Sequence, residues 1–266
     1  MLNTRRLYSS AQCLKVFVVG LAAFLALGVV SSIFLSRATD LNRALSAFIG
    51  INSLFFAILL YAGIYYSNKS ISEKHTRKVF EETTIALGAV AERKDPYTAG
   101  HQRRVAKLAV SIAKEIGLNE EQIKGLYIAS IIHDVGKIGI PAEILSKPGR
   151  LTELEFAIIK THSQSGYDIL KPVDYPWPVA LAVYQHHEKL NGTGYPRALT
   201  SEKIILESRI LTVADVVEAM ASHRPYRPAL GVKAALREIT DNKGILFDPE
   251  VVQACVNVFT RKRFRF

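Results

Sequence analysis

The stretch IIHDVGKIGIP, residues 131–141, closes an apolar run with His133 and Asp134 side by side, and Lys137 follows three residues later. A helix face that reads Ile123, Leu126, Ser130 ought to continue apolar into the core. An imidazole, a carboxylate and an ammonium at that point admit two readings. One is a polar cluster at a helix end. The other is a metal held beside an anionic substrate.

The rest of the chain bears on that choice. Five of its seven histidines fall where an apolar residue is expected. His101 begins the row Val105, Leu108, Ile112. His162 follows Ile158 and Ile159, and His186 and His187 follow Val183, at three and four residues. Asp215 lies on the row Leu211, Ala214, Glu218. Helical spacing therefore aims His101, His133, Asp134, His162, His186, His187 and Asp215 inward. Burying so many titratable groups without compensation is costly, and a pair of divalent cations compensates them. Mixed imidazole and carboxylate donors suit Fe, Mn or Zn rather than Mg or Ca, with Fe or Mn preferred. The lack of nearby thiolates argues against structural zinc. His75 and His223 fall outside the pattern.

Periodicity from about residue 80 onward is helical, with no alternating strands, so an all-α bundle is expected. Thr152 with Glu155 forms a capping box ahead of LEFAIIKTHSQSGYDIL, and Pro178 suits the first turn of PVALAVYQHHE. The N-terminal part is different. VFVVGLAAFLALGVVSSIFL (16–35) and LSAFIGINSLFFAILLYAGIYY (45–66) are uncharged and long enough to cross a bilayer. A transmembrane hairpin over 1–66 is expected, joined by a helical linker over 67–79 to a domain over 80–266. Arg5, Arg6 and Lys15 precede the first run, and Lys69, Lys74, Arg77 and Lys78 follow the second. That distribution puts both termini in the cytoplasm and the chain in the cell inner membrane. Ile71, Val79, Ala86 and Val90 form a narrow stripe that would serve as a homodimer seam.

The 266 residues allow one sizeable core plus something smaller. Cys13 and Cys255 have no motif spacing, which excludes a disulfide framework. The net charge of +10 favours an anionic partner without choosing among nucleotide, nucleic acid and acidic lipid. The end, RKRFRF (261–266), reads either as a disordered tail or as a contact with anionic headgroups.

HDVGKIGIP followed by HHEKLNGTGYP resembles the HD-GYP subgroup of the HD phosphohydrolase superfamily. DPYTAGHQRRVAKLA, THSQSGYDIL, RILTVADVVEAMASHRPYR and FDPEVV match its other blocks in order, over roughly residues 80–258. The resemblance implies an all-helical HD core with extra helices and hydrolysis of cyclic di-GMP; Tyr97, where a third-metal carboxylate could assist a second cut, makes pGpG the expected main product, with GMP minor. It implies that His101, His133, Asp134 and Asp215 bind one metal. Asp134 would bridge to a second metal on His162, His186 and His187. Such a pair can share a hydroxide and aim it in line at phosphorus, and no Ser or Cys has triad spacing. His133, Asp134 and Lys137 would then carry catalysis.

Lys137 suits a phosphate or leaving oxygen. Gly194 and Tyr195 in the NGTGYP loop suit the phosphate–sugar ring and a guanine face. Arg224 and Arg227 suit a second phosphate or a guanine edge, or form a solvated basic turn. The partner implied is a cyclic dinucleotide and not a nucleic-acid polymer. Asn191 stands where the family often has Asp, and Arg227 where it often has Lys. Tyr97 stands where some members carry a Glu for a third metal, so two divalent metals are expected. A complete ligand set favours an enzyme over a non-catalytic receptor or docking module. Another cyclic dinucleotide is the remaining alternative substrate.

Overall fold

A computed structural model describes residues 40–95, 100–222 and 229–266 of the chain, together with positions 28 and 33. The chain divides into two compact units, Met1–Lys78 and Val79–Phe266. In the first, helix α1 (Leu41–Lys94) starts beside Asp40, whose carboxylate accepts from the Arg43 N–H at 3.3 Å. That cap explains why Leu41–Ala44, expected in a loop, are already helical. No proline falls between 41 and 94, so α1 runs on through the expected linker. It is the one helix among the described residues long and apolar enough to cross a membrane, and Leu54, Phe56 and Tyr61 on it are exposed. The first apolar run, 16–35, lies outside the described residues apart from Gly28 and Ile33. The expected pair of spans thus reduces to one described helix. Tyr97, His223, Arg224 and Arg227 also lie outside them.

The second unit is all-helical, as the periodicity predicts. After the end of α1 come α2 (His101–Ile116), α3 (Glu120–Ile132), a 3₁₀ turn (Val135–Gly139), α4 (Ala142–Leu145) and α5 (Glu153–Leu170). Then follow α6 (Val179–Gln185), a short 3₁₀ turn (Ser201–Lys203), α7 (Leu206–Ala221), α8 (Val232–Asp241) and α9 (Pro249–Thr260). Two isolated bridges, Asn191 with Thr200 and Lys243 with Phe247, are the only extended pairings among the described residues.

Chain chemistry sets the helix ends. The Asn119 and Gln122 side chains close a capping box at α3, and Thr152 with Glu155 closes the expected one at α5. Asp248 caps α9, and its other oxygen takes Arg209 Nη1 at 2.9 Å. Two apolar clusters fill the interior. Val105, Leu108 and Ile112 of α2 pack with Leu211 and Val217 of α7, Ile239 of α8 and Val251 of α9. Ile128 and Ile132 of α3 pack with Leu170 of α5 and Val183 of α6, against Phe80 and Leu87 of α1.

The terminal RKRFRF is not the disordered tail of the first sequence reading. Phe264 and Phe266 pack on Phe259 of α9, with ring centroids 5.2 and 5.8 Å away. Lys107 donates to the Arg265 carbonyl at 2.7 Å, and Lys262 pairs with Glu115 at 2.7 Å. The phenylalanines pack on the protein, so the segment is not a loose tail.

Candidate metal centre

Five elements bring the seven donors together. His101 opens α2, and His133 caps the C-terminus of α3 with Asp134 directly after it. His162 is on α5, His186 and His187 follow the last turn of α6, and Asp215 is on α7. His186 and His187 were expected on a helix that continued to Glu188, but α6 stops at Gln185. The inward aim survives because the His186 Nδ1 bonds the Val183 carbonyl at 2.6 Å.

One group of donor atoms is His101, His133 and Asp215, and another is His162, His186 and His187. A third, His133, Asp134 and His186, joins them. Within each group the atoms lie within 4.8 Å of one another. The Asp134 carboxylate sits at the join. Its Oδ2 is 3.5 Å from His133 Nε2, and its Oδ1 is 3.6 Å from His162 Nε2. Asp215 Oδ1 lies 3.2 Å from His101 Nε2 and 4.0 Å from His133 Nε2.

The local fold dictates which nitrogen each ring presents. His133, His162 and His186 each place Nδ1 against the carbonyl three residues earlier, on Ser130, Ile159 and Val183, at 2.8, 2.7 and 2.6 Å. A carbonyl only accepts, so Nδ1 carries the proton and Nε2 keeps a lone pair. His101 is held by a carboxylate instead, Nδ1 to Glu218 Oε2. Glu218 is itself fixed by Arg104 Nε and by the Ser222 hydroxyl, both at 2.6 Å.

Electrostatics separates the two halves. Burial first, then the neighbouring His133 and His162, pushes His186 down to about 3. Burial lowers His162, and burial with His186 lowers His187 well below the usual range. These rings are neutral, and His162 Nε2 faces His186 Nε2 at 3.3 Å, lone pair to lone pair. A self-satisfied polar cluster would not be built so; a cation between the donors fits them. For His101, burial is outweighed by the hydrogen bonds it donates to Asp215 and Glu218, and the ring rises to about 9. Burial also opposes ionisation of Asp134 and Asp215. Lys137 and His133 hold Asp134 well below the carboxylate range, and His101 does the same for Asp215. Neutral His162, His186 and His187 with ionised Asp134 and Asp215 are the donor chemistry of Fe, Mn or Zn, and His101 joins them as a ligand by giving up the proton on Nε2.

Lys137 Nζ pairs with Asp134 Oδ2 at 2.8 Å and with Asp95 Oδ2 at 3.2 Å. Tyr195 lies across His187, ring centroids 4.7 Å apart at 31°, so one ring face is already covered. Burial raises its hydroxyl far above neutral pH, which keeps it protonated. Gly194 makes that placement possible. A Cβ there would fall 2.5 Å from the Glu188 Cα, so only glycine lets the loop fold back onto the end of α6. Arg224 and Arg227 lie outside the described residues.

Sequence reasoning missed Glu218 and Glu188. Glu218 was visible as the next member of the Asp215 row. Glu188 is buried next to His187, and its two oxygens accept from the Arg197 and Leu199 N–H groups at 2.7 and 2.9 Å. It pins the returning arm of the NGTGYP loop. Glu188→Gln turns an NH₂ toward one of those amides, and loss of the bond leaves a buried N–H unmatched. The expected loss of stability is about 1–3 kcal/mol, read from the denaturant midpoint. A midpoint equal to wild type would deny Glu188 this role.

The chain is 39% identical over 187 residues to the cyclic di-GMP phosphodiesterase response regulator RpfG of Xanthomonas campestris, covering 70% of this chain and 49% of that protein. It is 41% identical over 181 residues to a cyclic di-GMP phosphodiesterase of Thermotoga maritima, covering 66% and 48%. It is 38% identical over 169 residues to the 3′3′-cGAMP-specific phosphodiesterase 3 of Vibrio cholerae, covering 64% and 37%. The chain thus spans half or less of these curated relatives. A solved cyclic GMP-AMP-specific phosphodiesterase of V. cholerae shares the fold at TM-score 0.53 and 20% identity, covering 69% of this chain and 49% of that one. The model of the HD domain family matches residues 86–251, a stretch that holds all seven converging donors, and the chain belongs to that family.

Proposed function

We propose that this chain is an HD-GYP-type phosphodiesterase with a two-metal centre, opening cyclic di-GMP to linear pGpG. The observation that carries the reading is the position of Asp134 between the two donor groups. In this reading His101, His133, Asp134 and Asp215 hold one divalent ion, Fe or Mn. His162, His186 and His187 hold the other, with Asp134 shared. Such ions supply Lewis acidity toward phosphate and activate water at neutral pH.

The chain's own groups supply the rest. Glu218 keeps His101 Nε2 aimed inward, and the three helix carbonyls do so for His133, His162 and His186. Lys137 gives an Nζ–H to the leaving oxygen, its charge balanced by Asp134 and Asp95. Gly194 and Tyr195 close the site beside His187, and Arg224 and Arg227 grip phosphate or guanine. The same reading assigns residues 1–66 to two inner-membrane spans with both termini cytoplasmic, 67–79 to a helical linker and 80–266 to the catalytic domain. Homodimer formation along α1 belongs to it as well.

Relatives named for cyclic di-GMP and for cyclic GMP-AMP match at similar identity, so the test offers both. Purified full-length protein is loaded with Mn or Fe(II), and products are separated by chromatography. Faster turnover of cyclic di-GMP with pGpG as main product is expected. Tight binding without turnover would mean a receptor. Preference for cyclic GMP-AMP would move the substrate, and complete conversion to GMP would overturn the product.

A further inference from the structure

Two lysines beside the centre, Lys137 and Lys160, differ in one respect. The Lys137 ammonium is already neutralised by Asp134 and Asp95. Lys160 stands two residues before His162 on α5, and among the described residues it has no carboxylate partner. Its ammonium is held instead by aromatic faces, 4.6 Å from the centroid of Phe156 and 5.8 Å from that of Tyr195. Tyr195 in turn lies on His187. Ammonium, phenol ring and imidazole therefore form a column that leads from the surface of α5 to the second donor group. Lys160 is half-buried, which fixes the stem while leaving the charge reachable.

Cation–π contacts orient an ammonium without cancelling its charge. A charge oriented this way and left without a counter-ion beside a phosphodiester site is a receptor for a second anion. It lies one aromatic ring away from the metal ligands. The path runs through two ring contacts, 5.8 Å from Nζ to Tyr195 and 4.7 Å from Tyr195 to His187, which lies within the span of a molecule with two linked phosphates. The geometry points to Lys160 as the residue that binds the second, uncut phosphate of a cyclic dinucleotide, with Phe156 and Tyr195 aiming it. This assignment rests on the phosphodiesterase reading and extends it to the substrate's distal half.

The assignment also explains a division of labour. Selection for a substrate with two phosphates would reside in Lys160 and its aromatic supports, with Arg224 and Arg227 serving the guanine edges, and bond cleavage in the donors and Lys137. An enzyme so built should accept a simple diester but gain little affinity from it.

The test uses the full-length metal-loaded protein and two probes, cyclic di-GMP and bis(4-nitrophenyl) phosphate. The second carries a single phosphodiester. For Lys160→Gln, KM for cyclic di-GMP should rise about ten- to a hundredfold, the scale of one lost charge-assisted contact. The penalty on the single-phosphate ester should be at least tenfold smaller, and metal content should match wild type. Lys160→Arg should recover most of the loss. Equal penalties on both probes would make Lys160 a structural residue, and an unchanged KM for cyclic di-GMP would remove it from the site. Either result would leave the phosphodiesterase reading intact if wild type still turns over cyclic di-GMP. A wild type that neither binds nor cleaves the dinucleotide would overturn both.

Discussion

Asp134→Ala is expected to lower turnover by roughly a thousandfold or more and to empty the centre of metal, the scale seen when a group serving several partners at once is removed. Asp134 is buried and ionised, and it faces His133 with one oxygen and His162 with the other. No neighbouring acid can replace it. Asp215 lies near His101 and His133, in the first donor group. Lys137 would keep Asp95 as its partner, so the fold should survive. Circular dichroism should therefore match wild type while elemental analysis shows metal lost from both positions. Retention of both metals with turnover within tenfold of wild type would show that Asp134 does not bridge.

The second large effect is expected from one added methyl group. Gly136 sits in the 3₁₀ turn between Asp134 and Lys137, pressed against α5. A Cβ at this position would land on the His162 carbonyl oxygen and 2.5 Å from the Gly166 amide nitrogen. Both obstacles are backbone and cannot swing aside, so the turn and α5 would have to separate. Gly136→Ala should cost about 3 kcal/mol, the upper end for overpacking, and should weaken metal binding because His162 moves with α5. The control lies in the same turn. A Cβ on Gly139 would meet nothing within 4 Å, so Gly139→Ala should stay close to wild type. Denaturant midpoints and metal content of the two variants provide the comparison. Equal midpoints would mean that the contact between the turn and α5 is not tight in solution.

Much of this site was legible because helical spacing is a local code. The rows Val105–Leu108–Ile112 and Ile158–Ile159–His162 tell which way a side chain points without knowledge of the partner helix. The capping box at Thr152 is likewise contained in four residues. What the spacing could not show is who meets whom across the chain. His101 and Glu218 are 117 positions apart, and nothing near either one announces the pair. The same holds for Gly136 against Gly166, whose need for glycine arises only when two elements touch. The terminal phenylalanines were misjudged for a related reason. Composition suggested lipid or solvent, but Phe259, the penultimate residue of α9, offered a nearer apolar surface.

The tethering of three imidazoles to their own helices also affects thermodynamics. An exposed histidine loses rotational freedom when it becomes a ligand, at about 1 kcal/mol for an immobilised side chain. His133, His162 and His186 have surrendered that freedom already, as part of folding. The donors are thus ordered before any ion arrives, and an unfolded chain has no comparable arrangement to offer. Ion binding and folding are therefore linked, and the melting temperature becomes a function of free ion concentration.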